Sequence, residues 1–101
     1  MFITMNRFQV TEGQEQLFID VWKNRDSFLQ DVPGFKTFHL LQGKTEGGIT
    51  LFSSHVVWED QRSFEDWTKS EAFRQAHAQA GVNTKDLYAG PPKLELFTAV
   101  L

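Results

Sequence analysis

The chain has 101 residues, 41 % of them hydrophobic, and a formal net charge of -3; that bounds it to one domain, residues 1–101, with a small core. Binding a phosphate backbone needs clustered Lys and Arg, and no basic run is present, so nucleic acid is not an expected partner. Cysteine is absent, which excludes disulfides, thiolate metal sites and Cys nucleophiles and fits a reducing compartment.

The first segment, Phe2 to Val10, alternates. Phe2, Thr4, Asn6, Phe8 and Val10 take one face, the pattern of a strand. Asn6 stands among apolar neighbours on that face, where an unpartnered amide costs about 1–3 kcal/mol, so it calls for a backbone, water or ligand partner. Polar Thr4, Asn6 and Arg7 also interrupt the apolar run, so no signal peptide is expected. No stretch reaches the roughly 20 apolar residues of a membrane span. These features predict a soluble, cytoplasmic protein.

Thr11 and Gln14 have capping-box spacing, predicting a helix that continues to about Asp31. Its apolar stripe is Leu17, Phe18, Val21, Trp22, Phe28 and Leu29. Arg25 falls within that stripe, either as a snorkelling side chain or as an anion contact at a pocket edge. Val32-Pro33-Gly34 turns the chain. Phe35 to Gln42 is a second strand, the polar segment Gly43 to Gly48 a hairpin connection, and Ile49 to Trp58 a third strand.

Trp58 to His77 reads as two short helices. Asp60 can cap the first, on which Phe64 and Trp67 share a face. Ser70, followed by Glu71, caps the second, where Phe73, Ala76, His77 and Ala80 point one way until Gly81 stops the helix. Gly81 to Pro92 is a long connection with two Gly and two Pro, the kind that often forms a lid or binding loop. Lys93 to Leu101 alternates again as a fourth strand. The order β-α-β-β-α-β, with the second α broken, predicts an α+β fold of ferredoxin-like type. Helices cover one sheet face. Met5, Phe38, Leu40, Phe97 and Leu101 are expected on the other, with a second copy of the chain as the simplest cover.

Chemistry is sparse. His39, His55 and His77 sit on separate elements without metal-site spacing, and a lone imidazole cannot hold a free metal ion. A lone axial His does suffice for haem, because the porphyrin supplies the other nitrogens. A packed, hydrogen-bonded side chain is the commoner role of a single His, and His39 and His55 are assigned that role. No Walker, nucleophile-elbow, His-Glu-x-x-His or dinucleotide signature occurs. Asp60, Glu65, Asp66 and Glu71 are expected to be solvated, and Trp58 and Phe64 to be core.

Asn6, Pro33-Gly34-Phe35, Trp58, Phe64-Glu65-Asp66-Trp67, Ser70, Phe73 and Ala76-His77 together resemble the IsdG-type haem-degrading monooxygenases, within the antibiotic biosynthesis monooxygenase (ABM) superfamily. The combination of Asn6, Trp67 and His77 is the specific part. The resemblance implies a homodimer of α/β-barrel architecture, one haem per subunit, and a fourth strand reaching toward the partner. It implies that His77 is the axial iron ligand, that Trp67 ruffles the porphyrin, and that Asn6 hydrogen-bonds a distal ligand. Haem would be both substrate and cofactor, cleaved with O₂ and electrons from an external donor or reductase, with release of iron. Arg25, Arg74 and Lys85 are candidate propionate contacts. Trp22 and Lys23 depart from some relatives and put the meso-carbon preference in question. Two alternatives remain: a cofactor-free monooxygenase of the same superfamily acting on a quinol or aromatic substrate, and a haem-binding dimer without catalysis.

Overall fold

Alternation in the first segment builds the middle of a sheet. The computed structural model describes residues 1–24, 29–80 and 87–101, and of 76–80 the backbone alone. The elements are β1 (Phe2–Thr11), α1 (Glu15–Lys23), β2 (Phe35–Glu46), β3 (Ile49–Trp58), α2 (Gln61–Thr68), α3 (Glu71–Ala80) and β4 (Lys93–Thr98). The four strands form an antiparallel sheet in the order β2-β3-β1-β4. This is the expected ferredoxin-like architecture.

Register decides which side chains share a face. Asn6 pairs with Ser54 on one side and Leu94 on the other, while Thr4 pairs with Val56 and Leu96. Val56 in turn pairs with Phe38, and Ser54 with Leu40. Phe38 and Leu40 therefore lie on the helix-covered face, not on the open one expected for them. Both pack onto core clusters there. The expectation failed because a bulge between Phe35 and Thr37 shifts the β2 register by a residue, which exchanges the two faces of a strand. Met5 and Phe97 do lie on the open face.

Among the described residues two clusters make the core. Phe8, Val10, Phe18, Phe52 and Leu87 form one, and Phe2, Leu29, Val56 and Trp58 the other. Phe18 is wholly buried, a contribution of about 1.5–3 kcal/mol from its side chain. Leu17, expected in the same stripe, is instead 51 % exposed, and Ile19 packs inward. The Thr11/Gln14 capping box does not form. Thr11 is held in the strand opposite Ile49, Gly13 turns at φ 95°, and the Glu15 carboxylate reaches back to accept from the Gly13 N–H at 2.8 Å. The helix also ends earlier than expected, at Lys23. Asn24 follows as its C-cap, a residue whose side chain competes for backbone hydrogen bonds.

Strand β2 runs four residues past the expected Gln42, because only Gly47 and Gly48 form the turn, with φ 60° and 81°. Two successive positive φ values suit the right-handed twist of a hairpin. The broken helix matches expectation at both caps. Asp60 accepts from the Ser63 N–H at 2.8 Å, and Ser70 Oγ accepts from the Phe73 N–H at 3.1 Å. Past the second helix, Leu87 and Tyr88 dock on the first cluster, and Tyr88 bridges to Val10. The end of the long connection is thus tied to the core.

Candidate functional site

The helix side of the sheet encloses a cavity of about 260 Å³. Its floor is the sheet itself, where Thr4, Asn6 and Ser54 face it from β1 and β3. Its walls are aromatic: Trp22 from α1, Phe38 from β2, Phe64 and Trp67 from α2, and Phe73 from α3. Trp22 stacks on Phe38 with centroids 5.7 Å apart and planes 21° apart. Trp67 meets Phe73 edge-on at 4.8 Å and 86°, and Trp58 beneath it at 5.5 Å. Such contacts fix ring orientation and add about 0.5–1.5 kcal/mol each beyond burial. Trp67 therefore stands as a braced wall.

The break in the helix makes this arrangement possible. The Ser70 hydroxyl donates to the Trp67 carbonyl at 2.6 Å while its oxygen caps the next helix. One serine thus ends α2 and starts α3, so Trp67 and Phe73 can flank the same space from two axes. Under the floor, Trp58 is wholly buried and its Nε1–H donates to Thr4 Oγ1 at 3.1 Å.

Among the described lining residues none titrates. The described part of the site thus offers aromatic faces, an amide and hydroxyls rather than a general acid or base. Asp60 is a helix cap whose carboxyl is held below its ordinary value, first by the Ser63 hydroxyl and then by the Ser63 N–H. Glu65, Asp66 and Glu71 are exposed as expected. Arg74 is ion-paired with Glu71 on the outer surface of α3.

Of the residues singled out from the sequence, Asn6 and Trp67 line one cavity. His77 lies on α3, one turn past Phe73, but its side chain is outside the described residues, as are Arg25 and Lys85. His39 and His55 sit opposite each other on the open sheet face, rings 6.5 Å apart, away from the cavity. Sequence reasoning missed Phe38, Thr4 and Ser54 as lining. For Ser54 the signal was present: a hydroxyl occupies an inward position between Phe52 and Val56.

The fold has counterparts. A heme-degrading monooxygenase from Bacillus thuringiensis subsp. konkukian (strain 97-27) is 28 % identical over 81 residues, covering 80 % of this chain and 75 % of that protein. Heme-degrader MhuD from Mycobacterium tuberculosis, solved with two hemes bound in its active site, superposes with a TM-score of 0.73 at 25 % identity, over 100 % of this chain and 97 % of MhuD. A mutant of SnoaB, a cofactor-independent oxygenase from Streptomyces nogalater, superposes with a TM-score of 0.69 at 20 % identity, over 99 % and 94 %. The model of the antibiotic biosynthesis monooxygenase family matches residues 1–79, and the chain belongs to that family.

Proposed function

We propose that this protein is a haem-degrading monooxygenase whose substrate occupies the aromatic cavity. The observation that carries the reading is that Asn6 and Trp67, far apart in sequence, line one cavity from which α3 leads to His77. In chemistry, though not in volume, apolar walls over a small polar floor suit a macrocycle that is hydrophobic apart from its propionates. The Bacillus and Mycobacterium relatives support the same reading by what they degrade.

When bound, haem supplies the iron at which O₂ is activated and the ring that is opened, with electrons from an external donor or reductase. The chain's own groups do the rest. His77 would hold the iron through a neutral imidazole nitrogen. The Trp67 indole, braced by Trp58 and Phe73, would press on the ring and set its distortion. The Asn6 amide would offer a hydrogen bond to a ligand bound in the cavity. Arg25 is a candidate propionate contact. A homodimer formed through the open sheet face, where Met5 and Phe97 lie, would cover that apolar surface. No described helix is long and apolar enough to cross a membrane, and we place the protein in the cytoplasm.

The test is to add hemin to the purified protein. A Soret band that His77→Ala abolishes supports the reading. Bleaching of that band by ascorbate in air, with iron released, separates an enzyme from a haem carrier. A second reading, a cofactor-free monooxygenase acting on a quinol or other aromatic, is favoured by the cavity's volume. At about 260 Å³ it lies below the ~300–1,000 Å³ of drug-sized ligand sites, so a porphyrin needs more room than the described residues enclose. Absence of any Soret change on hemin addition would select this second reading.

A further inference from the structure

We infer that Ser54 is a specificity-determining hydrogen-bond donor in the cavity floor, which recognises an acceptor oxygen on an aromatic ligand. The inference stands on the cavity itself and not on the haem reading. The floor carries few polar groups, and the bonds made by its hydroxyls can be followed one by one. A hydroxyl has one proton and two acceptor lone pairs. Ser54 Oγ already accepts from the backbone N–H of Asn6 at 3.1 Å. Thr4 Oγ1 accepts from Trp58 Nε1 at 3.1 Å. The Thr68 hydroxyl donates to the Glu65 carbonyl at 2.7 Å, so its proton is spent inside its own helix. For the Ser54 proton, and likewise for that of Thr4, no acceptor is found among the described residues.

Ser54 is 7 % exposed and Thr4 5 %. Their protons are therefore shielded from bulk water, and a buried donor left unmade is costly. Ser54 lies directly across from Asn6 on the neighbouring strand, and Thr4 is two residues along β1 on the same face. The three groups form a compact donor patch under aromatic walls. A planar ring seats between those walls by stacking, and only a ring bearing an oxygen at its lower edge also satisfies the patch. Ser54 has a further effect on this patch. Its oxygen fixes the Asn6 backbone, so it also orients the neighbouring amide. The chemical class selected is an aromatic with a hydroxyl or carbonyl oxygen.

Phenol and toluene are a near-isosteric pair that differ in that oxygen. Binding of each to the ¹⁵N-labelled protein is followed by amide chemical shifts, with the Asn6 N–H as the local reporter. Wild type is expected to bind phenol more tightly than toluene. Ser54→Ala should weaken phenol about three- to tenfold, the loss of one neutral hydrogen bond, and leave toluene unchanged. Ser54→Thr, which keeps the hydroxyl, should retain the preference for phenol. Equal losses for both probes would mean that Ser54 only packs the floor, and would overturn the inference. So would an unaltered phenol affinity in Ser54→Ala, or failure of wild type to bind either probe.

Discussion

Replacing Trp58 with Phe tests the coupling between the cavity floor and the core. Trp58 is wholly buried among Phe35, Phe64 and Trp67, and its indole N–H is bonded to Thr4 Oγ1 at 3.1 Å. Removing the second indole ring opens a hole of roughly 40 Å³, which at the measured cavity coefficient costs about 1 kcal/mol. The lost apolar burial adds about 1 kcal/mol, and the lost hydrogen bond about 0.5–1.5 kcal/mol. The expected total is about 2.5–3.5 kcal/mol, or a fall in Tm of about 12–17 °C for a domain of this size. Urea unfolding followed by circular dichroism gives the value, with an unchanged m confirming that stability alone has moved. Thr4→Val keeps the shape but leaves the indole N–H unpaired, at about 1–3 kcal/mol. In the double variant the losses should fall short of additive by about 1 kcal/mol. Coupling near zero, or a Trp58→Phe cost under about 1 kcal/mol, would refute the idea that this bond ties the floor to the core.

Other substitutions probe the turns, the walls and the charge network. Gly34 sits at φ 83° and an added Cβ would overlap Ser63 at the start of α2, whereas Gly13 at φ 95° has open space around it. Gly13→Ala should cost only backbone strain, about 1 kcal/mol, and Gly34→Ala distinctly more; equal losses of Tm would show that the contact with Ser63 relaxes freely. Under the haem reading, Trp67→Phe should preserve hemin binding by Soret titration but slow ring opening, because a smaller ring distorts the macrocycle less; unchanged turnover would rule out that role. The Thr50 hydroxyl donates to Glu15 Oε2 at 2.7 Å and, as the largest influence, holds that carboxyl below its ordinary 4.5. A depressed folded-state pKa contributes stability that is present above pH 4.5 and lost as pH falls through the folded value. The stability gap between wild type and Glu15→Gln should therefore close on acidification below that point, and a gap independent of pH would count against the contact.

Much of the fold could be read from local pattern, because each element carries its own period and punctuation. Alternation marked β1 and β4, a run of β-forming residues marked β3, and Asp60 and Ser70 marked both caps of the broken helix, since caps depend on groups within one turn of each other. Errors came where a distant segment overrode the local signal. Thr11 matches a cap by spacing, yet strand pairing with Ile49 holds it elsewhere. Phe38 and Leu40 were placed on the wrong face because a bulge is a property of two strands in register, not of one.

The candidate site divides the same way. Asn6 stood out from the sequence because an amide between apolar residues on one face is expensive to bury, whereas Trp67 was singled out by the family resemblance. Nothing local joined them, or linked Ser54 and Phe38 to either. Those adjacencies arise from the antiparallel register, which sets Ser54 across from Asn6, and from the change of axis at Ser70, which lets α2 and α3 wall one space. Side-chain chemistry is written residue by residue, but a binding cavity is made from surfaces contributed by segments far apart along the chain, and only their mutual packing brings a polar floor beneath aromatic walls.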